Sequence, residues 1–137
     1  LYDHVARNHN KDDRARFREM SKNNWTFKDL LINKPSLGHK KKRLFGNSYV
    51  VQNFDKPSKT IIAHLYKDGN QFIHPDYTQE RSLTVREAAR LQSFPDNFRF
   101  MGSRTQQYKQ VGNAVPPLMS KAIAKSINKC IFELKND

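Results

Sequence analysis

Cysteine is nearly missing from this sequence: its 137 residues hold one, Cys130. A lone cysteine excludes an internal disulfide framework and a Cys-rich zinc site. Long apolar runs are missing too, with no 18-residue stretch able to cross a bilayer, and no secretory leader is visible. The five glycines stand far apart, at 38, 46, 69, 102 and 112, so no Gly-x-Gly phosphate loop exists. His4, His9, His39, His64 and His74 lack metal-ligand spacing and have no cluster of Cys or carboxylates beside them, which argues against zinc. Nor do two carboxylates share an apolar stretch in the manner that general acid–base chemistry needs. The chain opens at Leu1 rather than Met and reads as a fragment or trimmed chain from a reducing, cytoplasmic setting.

Negative charge is scarce as well. Thirteen acidic residues face 25 basic ones, a net charge of +12. Such an excess repels itself in a compact fold and makes sense opposite a polyanion. Nucleic acid is the leading candidate, because neutralising phosphates releases counterions; a merely soluble basic protein is the plain alternative. The apolar fraction of 36% is below that of most globular domains. A thin core is therefore expected, with some apolar surface meant for another domain or chain.

What is present divides into local signals. "NKDDRARFREM", residues 10–20, predicts a helix capped by Asn10, with Asp12 and Asp13 at the positive end of its dipole and Phe17 as anchor. The basic, turn-rich stretch 33–48 predicts a loop. "SYVVQNF" (48–54), "KTIIAHLY" (59–66) and "QFIH" (71–74) are rich in β-branched and aromatic residues, and Asp68-Gly69 is a hairpin signal. Three short antiparallel strands are expected there. Thr84 with Glu87 makes a capping box, with Leu83 and Ala88 as its staple, Ala88, Ala89 and Leu91 toward a core, and Pro95 as the stop. Ser103 with Gln106 opens a second short helix that ends at Gly112. From Pro116 onward, Met119, Ala122, Ile123, Ile127, Cys130, Ile131 and Leu134 trace one apolar helical stripe, and Cys130 reads as part of it rather than as a nucleophile.

Three places carry candidate chemistry. His39, Lys40, Lys41, Lys42 and Arg43 suit contact with DNA phosphates, with base-edge contacts open to His39 or Arg43; a solvated charge run is the alternative. Thr60 offers a hydroxyl to a nucleic-acid backbone or base while Ile61 packs, though Thr is also an ordinary β-former. In "YKQVGNAVPPLMSKAI", residues 108–123, Gly112 permits a close approach, Asn113 brings a donor and an acceptor, and two prolines stiffen the exit. Such a loop can hold a small polar ligand, or it can be a plain helix-to-helix turn.

"RSLTVREAARLQSFPDNFRF" followed by "GSRTQQYKQVGNAVPPLMSKAIA" closely resembles motifs IX and X of the DNA (cytosine-5) methyltransferases, over residues 81–124. "DKPSKTIIAHLYKDGNQFIHP" resembles the end of that family's target recognition domain, where Thr60-Ile61 matches its Thr-Leu/Val/Ile pair, and "HVARNHNKDDRARF" resembles the entry to that region in bacterial members. The resemblance implies an α+β fold: a small recognition domain with short antiparallel strands (1–80), then helices (81–137) that pack on an S-adenosylmethionine-dependent α/β domain. It implies methyl transfer from S-adenosylmethionine to C5 of a flipped cytosine in duplex DNA, through a Pro-Cys nucleophile and a Glu-Asn-Val glutamate that these residues do not contain. By the same pattern Gly112, Asn113, Ala114 and Val115 complete the cofactor pocket at the methionine end. Thr60 and Ile61 lie at the DNA, and Arg86 and Arg90 act as structural ion-pair partners. The chain is then expected to be inactive alone and to need the catalytic part, from the same gene or a separate subunit, or to pair with itself through the bare stripe. A stand-alone sequence-specific DNA-binding module is the second expectation, and a generic basic nucleic-acid protein the third.

Overall fold

The computed structural model describes residues 1–39, 48–67 and 69–134. Helix α1 (Lys11–Asn23) begins where Asn10 Oδ1 accepts the Asp13 N–H at 2.8 Å, with Asp12 and Asp13 in the first turn. It ends on Asn24, whose φ of 53° lies in the left-handed region that Asn tolerates. Helix α2 (Phe27–Asn33) follows and was not anticipated. Its signal is local all the same: Thr26 and Asp29 form a reciprocal capping box, worth about 1 kcal/mol. Phe17, Met20, Phe27, Leu30, Tyr49 and Ile73 bury together as one apolar cluster between these helices and the chain that follows.

Helix α3 (Val85–Leu91) carries the expected Thr84–Glu87 box and buries Ala88 and Ala89, but it stops short of Pro95 because Ser93 turns left-handed (φ 62°). Leu91, expected toward the core, is about half exposed. Helix α4 (Arg104–Asn113) opens on Ser103 and Gln106 and runs one residue past Gly112. These two helices close a second cluster with Ile61, Leu65, Phe72, Leu83 and Phe100.

The expected antiparallel strands at 48–75 are not there: among the described residues there is no β-strand, so the fold is helical rather than α+β. The run 59–66 instead ends in a 3-10 turn, Ala63–Tyr66. Its buried residues Ile61 and Leu65 are four apart, whereas Ala63 between them is exposed, so the burial follows a turn and not a pleat. Segments 50–52, 71–74 and 81–83 touch through isolated bridges of opposite sense, Val51–Ile73 parallel and Ile73–Ser82 antiparallel. Side chains take the place of further ladder bonds: Gln52 donates to Gln71 O at 3.0 Å and accepts the Lys59 N–H at 3.0 Å. β-Propensity reflects how side chains pack on a pleated surface, and here tertiary packing overrides it.

Helix α5 (Pro117–Leu134) begins one residue after Pro116. Among the described residues it packs against no other helix. Met119, Ile123, Ile127 and Ile131 are 46–57% exposed, and Cys130, expected in a core, is exposed with them.

Candidate functional site

The loop between α4 and α5 owes its position to a close backbone approach. Helix α4 lies on the 3-10 turn so tightly that a Cβ on Gly112 would sit 2.6 Å from Ile62 O and 3.1 Å from Ala63 Cα. Gly112 is thus required for packing, because no side chain fits against that carbonyl. On the same helix Tyr108 is buried and its hydroxyl donates to Leu83 O at 2.8 Å. Gln92, also buried, donates from Nε2 to Val111 O at 3.1 Å and Ala114 O at 3.3 Å, which satisfies carbonyls the end of α4 leaves open. The Leu118 N–H meets Ser93 Oγ at 3.1 Å at the foot of α5. Held from both sides, the loop leaves Asn113 and Val115 exposed and Gly112 and Ala114 half-buried. The Asn113 carboxamide makes no hydrogen bond among the described residues.

The segment that follows Thr60 packs on α4: Ile61 buries in the cluster that contains Tyr108 and Val111 and Ile62 O lies against Gly112, while Thr60 stays exposed. His39 is exposed at the edge of the other cluster, its ring 5.5 Å from that of Tyr49 and 6.2 Å from that of Phe27. Its Nε2 lies 2.6 Å from the Tyr49 hydroxyl, which itself donates to Asp13 Oδ1 at 2.9 Å, so Nε2 is the protonated nitrogen. Burial, and then the charge on Arg16, lower the pKa of His39. Lys40, Lys41, Lys42 and Arg43 lie outside the described residues.

Arg86, expected as a structural ion-pair partner, does much of the tying, together with Asp3 and Arg7, which sequence reasoning passed over. The fully buried Arg86 donates to Tyr2 O at 3.0 Å, Pro95 O at 3.1 Å, Phe98 O, and Asp3 Oδ2 at 3.1 Å. Asp3 also accepts from Gln107 at 3.0 Å, which joins the first residues of the chain to α3 and α4. Arg7 donates to the carbonyls of Leu65, Tyr66 and Lys67 and stacks 3.8 Å above the Tyr108 ring. Arg90 pairs with Asp96 at 2.7 Å on the surface. Nothing in the spacing of Asp3 and Arg7 announces partners that stand 58 to 104 residues away.

A profile of the family described as C-5 cytosine-specific DNA methylase matches residues 2–129. The chain belongs to that family. It is 55% identical over 93 residues to the type II methyltransferase M.Bpa9945I of Bacillus paralicheniformis, covering 68% of the chain and 21% of the relative. It is 48% identical over 87 residues to the type II methyltransferase M.AgeI of Thalassovita gelatinovora, 64% of the chain and 20% of the relative. The type II methyltransferase M.AquIB of a Picosynechococcus species is 38% identical over 103 residues, 67% of the chain and 70% of the relative. This member of the C-5 methylase family therefore spans about a fifth of the length of the first two relatives.

Proposed function

We propose that these residues are the target-recognition and pocket-closing C-terminal part of a cytosine-5 DNA methyltransferase of a restriction–modification system. In this reading residues 1–80 form the recognition domain and 81–137 complete the methyltransferase domain. The observation that carries it is the foot of α5. There the Asn113 carboxamide, without a hydrogen bond among the described residues, and the exposed Val115 follow Gly112, which packs against Ile62, at the start of a helix whose apolar stripe is bare. One face of a site is present and its other walls are supplied by sequence outside these residues. A relative named a type II methyltransferase, matched over 70% of its own length, supports the methyltransferase reading for a polypeptide of about this size.

The family implies S-adenosylmethionine, and the loop suits it: Asn113 has a donor and an acceptor free for the ammonium and carboxylate of the methionine end. Val115 and Ala114 give an apolar edge that excludes water, and Gly112 acts indirectly by seating α4. Bound there, the cofactor supplies an electrophilic methyl group. Thr60 meets the DNA near the flipped cytosine. The cysteine nucleophile comes from the catalytic part, and this chain alone transfers no methyl group.

The test uses labelled S-adenosylmethionine and cytosine-containing duplex DNA. The complete protein methylates C5, and Asn113→Ala weakens cofactor affinity by about tenfold or more, through loss of the carboxamide's hydrogen bonds to the charged methionine end. Methyl transfer by residues 1–137 alone, or unchanged cofactor affinity in Asn113→Ala, would overturn the respective assignment. DNA binding without methyl transfer by the complete protein would favour a recognition module without catalysis.

A further inference from the structure

Outside the loop and the 39–43 run, the molecule carries a groove of about 820 Å³ along α1 that neither the family match nor the site above assigns. We infer that this groove seats the phosphate backbone of the DNA, with Lys11, Arg14, Arg18 and Lys22 of α1 and Lys34 beyond α2 as its contacts. The inference rests on the DNA reading of the chain.

The spacing of the four α1 residues, three then four then four, sets them on one helix face. They span about 16 Å of helix axis, a length that holds on the order of five phosphates of one DNA strand. All five cations are exposed at the groove, against the carboxylates of Glu19 and Glu80. Glu80 is shared by two of them, accepting from Arg14 at 2.8 Å and Arg18 at 3.3 Å, so it aligns both guanidinium groups and leaves excess positive charge. Lys11, Lys22 and Lys34 form no ion pair among the described residues. The contrast within α1 is informative. Arg16, on the opposite face, is buried and spends its charge inside the protein, on Leu37 O at 2.6 Å and Asp13 at 2.7 Å. A row of cations with too few internal partners is at its lowest energy opposite a row of anions.

Such contacts position DNA without reading its sequence. The experiment is fluorescence anisotropy of the complete protein on labelled duplexes with and without target sites, across a salt series. Lys22→Gln with Lys34→Gln removes two unpaired surface charges that the fold does not use. The expected result is about a tenfold weaker affinity, equal on both duplexes, with the slope of log K against log salt reduced by about 2. Arg14→Gln with Arg18→Gln, checked by circular dichroism, weakens binding at least as much. Wild-type binding that both double variants reproduce in affinity and slope would overturn the groove alone, and would leave it to an acidic protein segment. Failure of the wild type to bind any duplex would overturn the DNA reading and the groove with it.

Discussion

A guanidinium is stable inside a protein only where its fork of N–H donors is met by acceptors, and Arg86 meets that condition with three carbonyls and the Asp3 carboxylate. A lysine keeps the charge and loses the fork. Arg86→Lys is expected to lower stability by about 3 kcal/mol, read by urea denaturation; a loss under 0.5 kcal/mol, the ordinary surface range, would remove Arg86 from its role as the N-terminal anchor. Gly112 and Asn113 separate two roles that their adjacency in sequence merges. Gly112→Ala places a methyl group 2.6 Å from Ile62 O and is expected to cost about 1–3 kcal/mol of stability. Asn113→Ala is neutral to the fold because its side chain is exposed. Equal thermal stability of the two variants would deny the packing role of Gly112. Both residues were visible in the sequence as a candidate loop, and the close approach at the glycine was expected, but the atom it meets was not, since Ile62 lies 50 residues away at the 3-10 turn.

At the level of elements, the N-terminus of α3 concentrates charge. Burial pushes the Glu87 carboxyl up, but the paired hydrogen bonds from Arg81 at 2.7 and 2.8 Å and the Thr84 N–H outweigh it, and Glu87 falls from 4.5 to about 2. His74 Nδ1 accepts the Asp76 N–H at 3.1 Å, so Nε2 carries the proton 3.7 Å from Glu87. Burial and the neighbouring Arg81 charge hold His74 below 6.5. Both folded pKa values are depressed, so both contributions are complete above the unfolded values and fade as pH falls. Acid is expected to weaken the fold in two windows, one opening below 6.5 for His74 and one from 4.5 down to about 2 for Glu87. The second is on the order of 2–3 kcal/mol. Denaturation midpoints of wild type and Glu87→Gln between pH 2 and 8 check this, since the variant lacks the lower window; parallel profiles would refute it. Helix α5 makes a different prediction. Ile123→Glu with Ile127→Glu is expected to leave the stability of this chain unchanged, because both positions are about half exposed, and to abolish the proposed docking onto a catalytic part in sedimentation experiments; docking at wild-type strength by the double variant would deny the stripe that role.

For the molecule as a whole, capping boxes made α3 and α4 legible, and the same device at Thr26–Asp29 would have disclosed α2. The strand reading failed because residues 48–74 are β-branched enough for strands but find too few backbone partners, with Gln52 and the 3-10 turn taking up the remaining bonds and burial. The stripe of α5 was legible as amphipathic, yet its exposure was not, since periodicity tells which face is apolar and says nothing of what covers it. Charge followed the same division. A net +12 suggested the polyanionic partner proposed above, while the segregation of Arg16 from its four basic neighbours on α1 became visible only once the helix had packed.

By itself the sequence determined what depends on neighbours within a turn or two: caps, helix faces, net charge and the motifs that mark the C-5 methylase family. Tertiary structure decided what depends on distant partners. It placed Gly112 against Ile62, buried Arg86 where Tyr2 and Asp3 accept its N–H groups, and packed Ile61 with Tyr108 and Val111 of α4. Local signals are energies of adjacent residues, whereas these contacts are set by shape and by buried donors that must find acceptors wherever the chain supplies them.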